Sequence, residues 1–187
     1  STINNLYANA KLNISPGDRF LIQTYGHYAL LANRGDYRVD AELFVDLKNF
    51  GRFKSKFIHQ RFSPTITQSR YLLSQREVWN RAFDKTIETS ISATYELPKY
   101  HFKVSGQYHL LNNFIYFDTL SYPQQEGLPL SIGQLILQKD FYIGSFGLKN
   151  TIIFQQLSED VLRLPDYYSK HSLFFESTLF KKVLLLR

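Results

Sequence analysis

The chain has 187 residues and a formal net charge of +6, with 44% hydrophobic and 20% charged residues and no cysteine. Its apolar runs stay far short of the roughly 20 residues that a spanning helix needs, so a helical membrane protein is excluded, and the missing cysteines exclude a disulfide framework and thiolate metal sites. Lys and Arg are dispersed among Asp and Glu without a basic tract, which argues against a nucleic-acid partner.

The first residues already alternate. Leu6, Ala8, Ala10, Leu12 and Ile14 oppose Tyr7, Asn9, Lys11 and Asn13, the period of two that marks a strand. No basic stretch followed by an apolar core precedes them, so no secretory signal is expected within this stretch. Ser15-Pro16-Gly17-Asp18 supplies turn chemistry. From Phe20 the alternation resumes through Ile22, Thr24, Gly26, Tyr28 and Leu30, to a break at Asn33-Arg34-Gly35-Asp36. Arg-Gly-Asp there is read as ordinary turn chemistry rather than an adhesion motif.

The cleanest strand follows: Val39, Ala41, Leu43, Val45 and Leu47 interleave with Arg38, Asp40, Glu42, Asp46 and Lys48, and only Phe44 is out of place. After a turn at Asn49-Phe50-Gly51, residues 52–62 run extended but mixed, and a long connection covers 63–85. Ile87, Ile91, Tyr95 and Leu97 then alternate with Glu88, Ser92 and Glu96. Beyond Pro98-Lys99 the same pattern returns, with Tyr100, Phe102, Val104 and Tyr108 opposite His101, Lys103, Gln107 and His109. A second long connection runs from 112 to 130. A less regular strand covers 131–142, Gly144-Ser145 turns it, and 146–157 is extended. A loop at 158–165 leads to a strand at 167–179 carrying Lys170 and Glu176, then a turn at Lys181-Lys182 and a strand that begins at 183.

Tight turns therefore take turns with long loops. The expectation is an all-β fold, an antiparallel up-and-down transmembrane β-barrel with about ten strands in a single domain over 1–187. A soluble sandwich would alternate too, but globular strands run about 5–6 residues whereas tilted membrane strands need about 9–11. Segregated short turns and long loops are a trait of outer-membrane barrels. Aromatic residues fall near both ends: Phe20, Phe50, Phe53, Tyr100, Phe102, Tyr142, Phe146 and Phe180 by the tight turns, and Tyr28, Tyr37, Trp79, Tyr116, Phe117, Tyr122, Tyr167 and Tyr168 by the long loops.

On this reading Val39, Ala41, Leu43, Val45, Ile87, Ile91, Tyr95, Phe102, Val104 and Tyr108 meet lipid. Arg38, Asp40, Glu42, Asp46, Lys48, Glu88, Glu96, Lys103, Lys149, Lys170 and Glu176 face a watery lumen and are the candidates for setting selectivity. Opposite charges pairing across strands predict weak ion selectivity. Because backbone groups in hydrocarbon must all be paired, the sheet must close, and with a strand at each end of the stretch it is expected to be a segment of a larger barrel.

The five histidines show no metal-ligand spacing; His101 and His109, on one strand, would lie roughly 27 Å apart. Neither metal nor cofactor is expected. Ser105 with His101, and Ser172 with His171, lack a nucleophile elbow or acid partner, so the chain is not expected to be an enzyme.

"VWNRAFDKTIETSISATYELPKYHFKVSGQYHLLNNFIYFD" and "VLRLPDYYSKHSLFFESTLFKKVLLLR" resemble the putative-porin family of Bacteroidota outer-membrane proteins over most of the chain. The parts that carry the likeness are Trp79-Asn80, Leu97-Pro98-Lys99-Tyr100, the stretch 108–118 and the stretch 162–171. The resemblance implies a large single-chain barrel in a Gram-negative outer membrane, passing small hydrophilic solutes by passive diffusion. Its partners would be outer-membrane lipid and other outer-membrane proteins in a complex. The alternatives are a non-conducting assembly barrel of such a complex and the barrel part of a plugged receptor.

Overall fold

The computed structural model describes residues 5–159, 161–162, 164–179 and 184–186. Nine strands form one antiparallel sheet in the order β1-β2-β3-β4-β7-β8-β11-β12-β13. These are β1 (Tyr7–Ile14), β2 (Phe20–Ala29), β3 (Tyr37–Asp46), β4 (Arg52–Phe62), β7 (Thr86–Leu97), β8 (Phe102–Asn112), β11 (Leu130–Ile143), β12 (Phe146–Leu157) and β13 (Tyr167–Phe175). Each strand pairs with its sequence neighbours in the sheet, so the topology is the expected meander, and most strands reach the length that a tilted bilayer crossing requires. Among the described residues β1 pairs only with β2 and β13 only with β12, which leaves the sheet open at both edges.

Among the described residues the sheet holds nine strands, where about ten were expected, and those described beyond β13 stand apart from it. They form a separate pair of β14 (Ser177–Leu179) and β15 (Leu184–Leu186). The turn expected at Lys181-Lys182 and the aromatic residue Phe180 lie outside the described residues. The long connections also hold more order than their composition suggests. Residues 63–85 contain the one-turn helix α1 (Ile66–Ser69), closed by a capping box between Thr65 and Gln68, and a hairpin of β5 (Arg70–Leu73) and β6 (Arg76–Asn80). Residues 113–129 contain a hairpin of β9 (Ile115–Phe117) and β10 (Pro123–Gln125).

Among the described residues the tight connections of the sheet lie at its other end. Two are single 3₁₀ turns, Lys48–Phe50 and Pro98–Tyr100. His101 closes the second with φ +48, so it belongs to a turn and not, as its spacing suggested, to the strand that carries His109. Gly51 closes the first at φ +99, and a Cβ there would stand 2.3 Å from the Glu96 carbonyl oxygen. Both the positive φ and the close approach demand glycine. Gly51→Ala is expected to cost about 1–3 kcal/mol in strain, read as a lower denaturant midpoint for the full-length protein. A change at Gly17, where nothing lies within 4 Å of a Cβ, should cost less.

Candidate lumen surface

In an antiparallel sheet residues paired across strands share a face, so the registers sort every strand residue onto one of two surfaces. One surface carries Val39, Ala41, Leu43 and Val45 of β3. In register with them are Phe57 and Phe53 of β4, Ile87, Ile91 and Tyr95 of β7, and Tyr108, Val104 and Phe102 of β8. It continues through Leu135 and Leu137 of β11 and Phe154, Ile152 and Leu148 of β12. All ten residues expected to meet lipid lie on this apolar face. Many stay well exposed, Ile91 at 53% and Tyr108 at 47%.

The opposite surface carries Arg38, Asp40, Glu42 and Asp46, then Lys54, Lys56 and Arg52, Glu88 and Glu96, Lys103, Lys149 and Lys170. Nine of the eleven residues expected to face a lumen therefore share one face. The other two, Lys48 and Glu176, sit in connections off the strand ladders. Phe44, the misfit in its strand, lies on this polar face opposite Leu21 and Lys54.

The charges on this face are interleaved by sign. Along one row Asp46, Arg52, Glu96 and Lys103 stand opposite one another on four successive strands. Glu42 lies 2.8 Å from Lys54 and 3.8 Å from Lys56, and Arg38 lies 3.0 Å from Asp40. Gln60 donates to Glu88 at 2.6 Å, and His109 stands 3.4 Å from the same carboxylate. Half-exposed pairs of this kind contribute little stability each. Their effect is to leave no broad field of one sign on the surface.

The two faces are not chemically pure, and the exceptions were missed in the sequence. The apolar face holds a polar chain in which the Tyr37 hydroxyl meets His59 at 2.8 Å and His59 meets Thr89 at 2.9 Å. It also holds Lys139, Asn150 and His171 in register, with His171 and Asn150 at 2.7 Å. The polar face holds Ile58, Ile132, Ile136 and Ile153. Two aromatics assigned to the belts, Tyr142 and Tyr168, lie on the polar face, opposite Gly147 and Ile153. Tyr142 sits 4.8 Å from the His101 ring, and the Phe174 ring covers Gly147, where a Cβ would meet it at 2.1 Å.

At the long-loop end two devices hold the connections together. The Lys85 ammonium lies 2.7 Å from Asp36 and also donates to the carbonyls of Asn33 and Arg34, while Asp36 accepts from the Ser63 amide and hydroxyl, both at 2.9 Å. Asp36 is only 8% exposed, so the acid of the Arg-Gly-Asp turn is a clamp between two loops. In the second device Trp79 stacks on Tyr71 at 4.7 Å and meets Phe117 and Tyr122 edge-on, joining the β5-β6 and β9-β10 hairpins. Trp79, Phe117 and Tyr122 thus pack loop on loop. Gln125 bonds to both backbone groups of Asp84 across the same junction.

Asp118 in this junction is held below its ordinary 3.8, first by the Gln124 amide and then by the Tyr122 backbone amide, against an opposing effect of burial, with the Leu120 backbone amide and Arg81 adding to the lowering. A depressed carboxylate stabilises the fold above its unfolded value, and that contribution is lost as pH falls through the lower folded value. Trp79 is the only tryptophan. Its fluorescence in an acid titration from about pH 5 to 2 is expected to change below 3.8, and Asp118→Asn is expected to abolish that step.

A candidate metal centre of three or more His, Asp or Glu residues does not occur among the described residues. No helix there is long and apolar enough to cross a membrane. No curated protein and no solved structure matches the chain significantly. The family described as "Putative porin" matches residues 1–187, and the chain belongs to it.

Proposed function

From that membership we propose that the sheet is part of a closed transmembrane barrel in a bacterial outer membrane, where it admits small hydrophilic solutes by passive diffusion and catalyses nothing. The observation that carries this is the sorting of charged and apolar residues onto opposite faces through the registers of nine strands. Lipid on the apolar face and water on the polar face satisfy both surfaces at once. Two open edges cannot stand in hydrocarbon, because each unpaired backbone group there costs several kcal/mol. Partner strands at β1 and β13 complete the barrel. Interleaved charges on the polar face give weak discrimination between cations and anions.

The full-length protein in planar bilayers tests this: steady ohmic steps of current support the pore, and silence from protein that still shows heat-modifiable gel migration overturns it. One observation favours a second reading, a barrel whose lumen is filled, by a plug or by partners of an outer-membrane complex. Ile58, Ile132, Ile136 and Ile153 on the polar face are costly against bulk water and suit a covered interior. Silence in the bilayer with an intact barrel is the result that reading requires.

A further inference from the structure

The polar face is not uniform from edge to edge. Its charges concentrate on β3, β4 and β7, whereas the middle of β8, β11 and β12 carries neutral amides. Gln107 stands opposite Gln134, and Gln134 opposite Gln155, so three glutamines form one row across three strands. Ser92 and then Lys56 continue the row toward the charged half. Gln134 donates to Gln155 at 2.8 Å, and Gln155 donates to the Pro165 carbonyl at 2.6 Å. Those bonds fix two of the amides, while the Gln107 amide has no hydrogen-bond partner among the described residues.

On the same face the row is flanked by aliphatic side chains. Ile132 and Leu157 lie on the long-loop side, and Ile136 and Ile153 on the turn side. An open groove of about 1140 Å³ borders the row, touching Gln107, Gln134 and Gln155 and reaching Leu162, Leu164 and Asp166 of the loop after β12. More of its strand lining belongs to the opposite face, where Ile91, Ala93, Tyr108, Leu135 and Phe154 surround the notch left by Gly106 and Gly133.

Resting on the pore reading, we propose that the glutamine row is a binding site for neutral saccharides on their way through the barrel. An amide offers donors and an acceptor without charge, which is what a run of hydroxyls pairs with. A formal charge would prefer ions and hold water more tightly. The aliphatic flanks meet the C–H faces of a sugar ring, which are as apolar as its rim is polar. Three strands at about 4.8 Å spacing place the amides across about 10 Å, the span of a disaccharide.

Calorimetric titration of the full-length protein in detergent micelles with maltotriose tests the site without depending on conduction. Binding is expected, weakened about tenfold or more by Gln134→Leu with Gln155→Leu, and changed less than about twofold by Glu42→Gln on the charged half. If the double variant loses heat-modifiable migration, Gln107→Leu, which breaks no hydrogen bond among the described residues, takes its place with at least a threefold loss expected. No maltotriose binding by the wild type overturns the site, as does unchanged binding by the variants, or preference for a neutral acetylated tripeptide amide over the sugar. Bilayer conductance without sugar separates the two proposals. A conducting protein that ignores maltotriose removes the site and leaves the pore, whereas a silent protein that binds it removes the pore and leaves the site.

Discussion

Ile91→Arg is expected to destabilise the folded protein by about 2–4 kcal/mol in lipid vesicles, the cost of an arginine near the bilayer midplane on the lipid face of a barrel. Ile91 lies at the middle of the 12-residue strand β7, between Phe57 and Tyr108 on the apolar face. A guanidinium there has no acid in register to meet it. The comparison is Gln107→Arg, on the adjacent strand but on the polar face between Ser92 and Gln134. On the proposed orientation the new side chain there meets water, and the expected change is within about 0.5 kcal/mol. Guanidinium unfolding in vesicles reads both. An equal penalty at the two positions, or a larger one at Gln107, contradicts the assignment of the faces.

Asp36→Ala is expected to cost about 2–4 kcal/mol, although Asp36 lies in a loop where most substitutions cost little. The carboxylate is buried, and three donors depend on it: the Lys85 ammonium and the amide and hydroxyl of Ser63. Without it the Ser63 amide loses its partner and the Lys85 charge, itself partly buried, keeps only the carbonyls of Asn33 and Arg34. Removing one partner of such a pair costs more than the pair contributes, because the other is left desolvated. Lys85→Ala should therefore be nearly as damaging, and the double variant should cost much less than the sum of the two. Denaturant midpoints give all three values. Limited proteolysis should locate the new cleavage in 30–36 and 63–85.

The faces were legible in the sequence wherever a strand is amphipathic over its whole length. Val39 to Val45 shows this best, and its misfit Phe44 proves to have an apolar partner, Leu21, on the polar face. β11 looked irregular for a physical reason: Ile132 and Ile136 face one way and Leu135 and Leu137 the other, so the period of two is blurred by apolar residues on both sides. In β4, His59 occupies an apolar-face position that only its contacts with Tyr37 and Thr89 make tolerable. The loop clamp was invisible because Asp36 and Lys85 are 49 residues apart, and no local pattern encodes such a contact. The glutamine row was hidden likewise, since each glutamine is an unremarkable polar residue in its own strand and the row exists only through the register.

The orientation of the two faces is the claim on which the pore and the saccharide site both depend. Because the chain has no cysteine, single substitutions Ile91→Cys, Val104→Cys, Glu88→Cys and Lys103→Cys can be placed in an otherwise unreactive background and spin-labelled in vesicles. Labels at 91 and 104 should be relaxed by oxygen dissolved in the bilayer, and labels at 88 and 103 by a water-soluble nickel chelate. The reverse pattern, with 88 and 103 in lipid and 91 and 104 in water, would contradict the account.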